Sequence, residues 1–192
     1  DLFLDGTAEY SGTTELPWGD QGVQVVIVKN GGEYTVRETP ILPATHSSVL
    51  TSYEVDLRAD SPIVDVATTL TGSFAASWRE RYQTETDREE RFKDRLHSDF
   101  PGARLAQLEF SDLSQLETPV KVAYRFEHPT LAEASADQVR VPPILRPARL
   151  LSRLAPWPSR KSTLEVGHPF VSQESIRVTA PPGAKLQAAG GP

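Results

Sequence analysis

The stretch Val49–Tyr82, VLTSYEVDLRADSPIVDVATTLTGSFAASWRERY, changes its period halfway along, and that change decides the fold. In its first part Tyr53, Val55 and Leu57 alternate with Glu54, Asp56 and Arg58. After the ADSP turn, Val64, Val66, Thr68 and Leu70 alternate with outward positions such as Asp65. A repeat of two places one side of each strand on a core and the other in water, so the pair reads as antiparallel β-structure. After Gly72 the spacing becomes four: Phe74, Trp78 and Tyr82 fall on one helical face.

The same two periods extend in both directions. Upstream, VQVVIVKNGGEYTVRET reads as a hairpin, because NGG supplies residues that tolerate positive φ between two β-branched runs. Downstream, TDREERFKDRLHSDFPG predicts a second helix with Thr86 and Glu89 as a capping box, Phe92 and Leu96 turned inward, and FPG as the stop. Arg79 to Arg95 holds six basic and six acidic side chains, which reads as a solvated helical face of close pairs. Strands return in RLAQLEF and VKVAYRFEH, where Val120, Val122, Tyr124 and Phe126 share a face; SDLSQLET between them reads as a loop. Further on, QVRVPPIL predicts a short strand, and RKSTLEVGHPF and ESIRVTAPPGAKLQ predict two more. The expected fold is mainly β, an antiparallel and sandwich-like sheet with two inserted helices near 73–97; α+β is the alternative description. A sheet with one apolar face must cover it with a second layer, and the helix pair is expected to supply part of that layer.

Composition limits the chemistry. The chain has no cysteine, which excludes a disulfide framework, a thiolate zinc site and a cysteine nucleophile. His46, His97, His128 and His168 lack metal-ligand spacing, no G-x-S-x-G elbow is present, and no glycine-rich loop joins a strand to a helix. No metal or other cofactor is expected. A net charge of −6 argues against nucleic acid as a partner, and the absence of a run of 18 apolar residues excludes a spanning helix. Nine of the 16 prolines lie at or after Pro142, so long helices are not expected there. In that region Arg140–Lys161 carries six basic residues and no acid. It reads as a short helix packed through Leu150, Leu154 and Trp157, with Arg146, Arg149 and Arg153 turned to water or to an acidic partner. Arg146, Arg149, Arg153 and Trp157 are thus the candidate interaction surface, and contact with a membrane is not expected.

Near the start, LFLDGTAEYSGTTELPWGDQGVQVVIV reads as a short strand ending in Asp5 at a turn. This stretch resembles the end of a bacterial transglutaminase-like, papain-fold domain, in which a strand closes on L-D-x-T and the acid completes a Cys-His-Asp triad. Asp5 matches the acid and Thr7 the threonine. ELP at Glu15–Pro17 and the strand QGVQVVIV match the continuation in multidomain members, and RKSTLEVGHPFVSQESIRVTAPPG resembles their later β domains. The resemblance implies that residues 1–28 are the tail of a transglutaminase-like core, 29–134 a β domain, and 135–188 a Pro-rich segment with short strands and one short helix. Both ends of the chain read as cut.

A triad acid orients and stabilises an imidazolium and attacks nothing itself. With no cysteine, and no histidine before Asp5, the chain has no catalytic residue of its own; Asp5 is a triad acid only if Cys and His lie upstream. The expected role is a non-catalytic structural or protein-interaction β module beside such a core, with that core in cis and a protein or peptide as partners, in an extracytoplasmic setting such as the periplasm. The rival readings are a portion of a cysteine protease or amide-transfer enzyme, and a carbohydrate- or envelope-binding β module. A tryptophan standing exposed beside polar groups would favour the latter.

Overall fold

The computed structural model describes residues 2–134, 139–142, 145–146, 159, 161–164 and 167–184. Its centre is a five-stranded sheet built from β3 (Ser48–Asp56), β4 (Ile63–Leu70), β5 (Arg104–Phe110), β6 (Val120–Glu127) and β9 (Val171–Thr179), in the order β5-β6-β4-β3-β9. The β3–β4 pairing sets Tyr53 opposite Val66 and Val55 opposite Val64, and β4–β6 sets Val66 opposite Tyr124 and Val64 opposite Phe126. The period-two residues therefore meet on one face.

Helices α1 (Gly72–Tyr82) and α2 (Glu85–Asp99) cover that face, so the mainly β fold with two inserted helices is observed, in an α+β layering. The seam is aromatic. Phe92 of α2 meets the Tyr124 ring edge-on at 4.9 Å, and Phe100 lies 4.9 Å from Phe126. Phe92 and Leu96 are buried, and the expected stop holds, with Phe100 as the C-cap of α2. The opposite sheet face is polar and forms an open concavity of about 540 Å³. There Arg125 of β6 binds Asp65 of β4 through two bonds, of 2.7 and 3.0 Å.

Four local expectations need correction. First, Leu2–Asp5 is not a strand, and Leu2 and Leu4 are exposed; no neighbouring strand takes up their backbone. Second, the Thr86–Glu89 capping box does not form. The N-cap of α2 is Thr84, which leaves Thr86 inside the helix with its hydroxyl bonded to Asp87 at 3.3 Å. Third, the fully buried stripe of α1 is Gly72, Ala75, Arg79 and Tyr82, while Phe74 and Trp78 are half-buried beside it. Arg79 is therefore no part of a solvated face: it is 1% exposed. Its Nη1 donates to Tyr10 O (3.0 Å), and Nη2 donates to Gln115 O (3.2 Å) and Thr118 O (2.6 Å). The guanidinium thus ties the N-terminal arm and the β5–β6 loop to α1 through backbone carbonyls. Fourth, the expected strand over RKSTLEVGHPF is absent among its described residues, 161–164 and 167–170. A single long strand, β9, closes this part of the chain. It runs parallel to β3, whereas the other pairs in this sheet are antiparallel.

Two short ribbons complete the described structure. β1 (Gln24–Val28) and β2 (Tyr34–Glu38) form the expected hairpin, with Gly31 and Gly32 at φ +86° and +84° in its turn. The expected boundary between residues 28 and 29 falls inside this hairpin. β7 (Glu133–Ala134) pairs with β8 (Val139–Arg140), and β8 is the short strand expected in QVRVPPIL.

Candidate functional site

The passage from β4 into α1 organises one end of the sheet. The Thr71 hydroxyl accepts from Ser48 N at 3.0 Å and donates to His46 O at 3.0 Å, which fastens the end of β4 to the start of β3. Gly72 then turns the chain with φ +56°. Ser73, in the first turn of α1, donates from both N and Oγ to Ser47 Oγ, each at 3.2 Å. His168 Nε2 lies 3.0 Å from Ser73 Oγ. The Ser73 hydroxyl thus bridges Ser47 and the His168 imidazole. The contact latches the start of α1 to the segment around His168. Aromatic rings hold the imidazole: Trp18 lies nearly parallel to it at 6.0 Å, and Phe74 and Phe170 meet edge-on at 5.4 Å beside it.

A groove of about 400 Å³ runs between α1 and the arm that Arg79 anchors. Trp18, Tyr10, Ser77 and the carboxylates Glu9, Glu15 and Glu80 line it, together with Ser47 and Ser73 of the latch. Among the described residues, no lysine or arginine lines it. Trp18 is 57% exposed. It sits in a 3-10 turn, Trp18–Asp20, next to Gln21, whose side chain donates to Leu16 O and accepts from Leu42 N.

A second feature is the β1–β2 hairpin. Val26 lies opposite Val36 and Val28 opposite Tyr34, so these four share one face. All four are exposed, Val28 at 73% and Tyr34 at 69%. The residues at the base are fixed: Thr39 is buried, and its hydroxyl accepts from Val23 N.

The residues singled out from the sequence fall elsewhere. Asp5 caps its own turn, accepting from Thr7 N and Thr7 Oγ1, both at 2.8 Å. Its carboxyl is held below the usual value, first by the Thr7 amide and then by the Thr7 hydroxyl. Arg146 packs on α2, with Nε 3.1 Å from Asp99 Oδ2. Burial is the strongest single influence and opposes its charge, but Asp99, Tyr53 and Tyr124 together outweigh it, so the proton is held more tightly. Burial likewise pushes Tyr53 up to about 12 in the same seam, where the charge of Glu174 adds to the shift. Leu145, beside Arg146, is buried in the core. Leu145→Ala should therefore cost about 2–3 kcal/mol in urea unfolding, and a change under about 0.5 kcal/mol would show that this segment does not contribute to the core. Arg149, Arg153 and Trp157, with Leu150 and Leu154, lie outside the described residues.

His46 lines the groove beside the latch that holds His168, whereas His97 and His128 lie elsewhere. His97 bonds Ala103 O at 3.1 Å, and His128 is buried, with Thr130 3.4 Å from its Nδ1. No group of three or more metal-binding side chains forms among the described residues, nor is any helix there long and apolar enough to cross a membrane. Sequence reading missed Ser73 and His168 because a pair so far apart in the chain has no local signature. Comparison with protein-family models, with curated proteins and with solved structures gives no match to this chain.

Proposed function

We propose that this chain is a non-catalytic protein-interaction β module that accompanies a transglutaminase-like, cysteine-peptidase-like core, and that the β1–β2 hairpin is its docking element. The observation that carries the reading is the open apolar face of Val26, Val28, Tyr34 and Val36. An isolated two-stranded hairpin is marginal in water and gains stability when a further layer covers it. Contiguous exposed apolar surface with this geometry marks a place where another protein sits.

The partner in this reading is a transglutaminase-like core upstream in the same polypeptide, and the setting is extracytoplasmic; both follow from the resemblance around Asp5. Hydrogen exchange tests it. Amides of residues 24–38 should exchange more slowly in the gene's full-length product than in this chain alone. Equal exchange in the two, or a full-length product without such a core, rejects the reading.

A further inference from the structure

We propose that the groove between the N-terminal arm and α1 binds a short neutral saccharide, with Trp18 as the stacking platform. The inference rests on residues separate from the hairpin and goes beyond the interaction role proposed above.

Three observations converge on this ligand class. The first is the platform. Trp18 is 57% exposed, yet it is held by its 3-10 turn, by the hydrogen bonds of the neighbouring Gln21, and by the nearly parallel His168 ring. An indole fixed before binding loses little freedom on contact. Its negative π-face suits the polarised C–H groups of a sugar ring.

The second is the pattern of polar groups. Glu9, Glu15 and Glu80 line the groove, Glu15 with one oxygen already accepting from Gly12 N, and carboxylate acceptors form strong, charge-assisted bonds with hydroxyl donors. The hydroxyls of Ser11 and Ser77 also line it and bond no protein group among the described residues. A saccharide both donates and accepts, and so uses both sets; an ammonium group would use only the acceptors.

The third is charge and size. With three glutamates and, among the described residues, no lysine or arginine lining the groove, an anionic sugar or a phosphorylated ligand is repelled. A volume of about 400 Å³ lies near the lower end of small-molecule sites, so the ligand is short.

The test is calorimetric titration of the chain with cellobiose, chitobiose and maltose, with galacturonate and trilysine as charged controls. At least one neutral disaccharide should bind with a Kd on the order of 1 mM or tighter. Trp18→Ala should weaken it at least about tenfold, and Trp18→Tyr should restore most of the affinity. Trp18 is largely in solvent, so the melting temperature of both variants should match the parent. No binding by any of the three neutral sugars overturns the proposal. So does binding that survives Trp18→Ala, or trilysine binding that outcompetes the sugars and falls with added salt.

Discussion

Arg79→Ala should destabilise the fold by about 3–5 kcal/mol, from carbonyls left without a donor at about 1–3 kcal/mol each and from the lost packing of a side chain that is almost wholly buried. For a chain of this size that is a fall in melting temperature of roughly 8–15 °C. The carbonyls of Tyr10 and Thr118 would lose this donor, whereas Gln115 O would keep Thr118 N and Thr118 Oγ1. A buried carbonyl left without a donor costs about 1–3 kcal/mol, and water entering the vacated space would recover part of that. The arm and the β5–β6 loop should loosen first, which hydrogen exchange at residues 8–17 and 111–119 would report. Arg79→Lys keeps the charge but not the fork, so it should restore only part of the loss. A loss below about 1 kcal/mol for Arg79→Ala would show that the three segments hold together without it.

Gly72→Ala should be nearly as damaging, at about 3 kcal/mol, for a different reason. At φ +56° an L-residue pays about 1–2 kcal/mol in backbone energy alone. The added Cβ would also lie 2.5 Å from Ser47 Oγ and 2.6 Å from the His46 carbonyl. Backbone has to move to make room, and that displaces Ser47, the acceptor for both donors of Ser73. The variant should therefore lose stability and also weaken the latch to His168, visible as a shift in the imidazole ring resonances. Unchanged stability would mean that α1 is free to start elsewhere.

Both effects sit where sequence patterns are silent. The period-two runs of β3, β4 and β6 were legible because alternating burial leaves a direct trace in residue type, and Phe92 and Leu96 were legible at helical spacing for the same reason. Arg79 was not. A charged residue on a helix face looks like a solvent position until the carbonyls that receive it are known, and these come from two distant segments. The Thr86–Glu89 pattern was present in the sequence, yet α2 starts at Glu85, one residue ahead of Thr86, so the motif lies inside the helix. The direction of β9 was also hidden, because alternation marks a strand without giving the orientation of its neighbour. At the groove, Trp18 could be named from the sequence, but its exposure and its partner His168 depend on tertiary packing.

The placement of β9 has a consequence for how the chain is made. Its pairing with β3 joins Ser48 to Val171 and Asp56 to Thr179, the longest-range contact in the main sheet. β3, β4, β5 and β6 are complete by Glu127, so most of the sheet can assemble while β9 is still being synthesised. At about 5–20 residues per second the delay is several seconds. Over that interval the outer edge of β3 is an open row of backbone donors and acceptors, the kind of template that recruits strands from neighbouring chains. The last strand thus closes the sheet late, and anything that slows its arrival lengthens the window in which nascent chains can associate edge to edge.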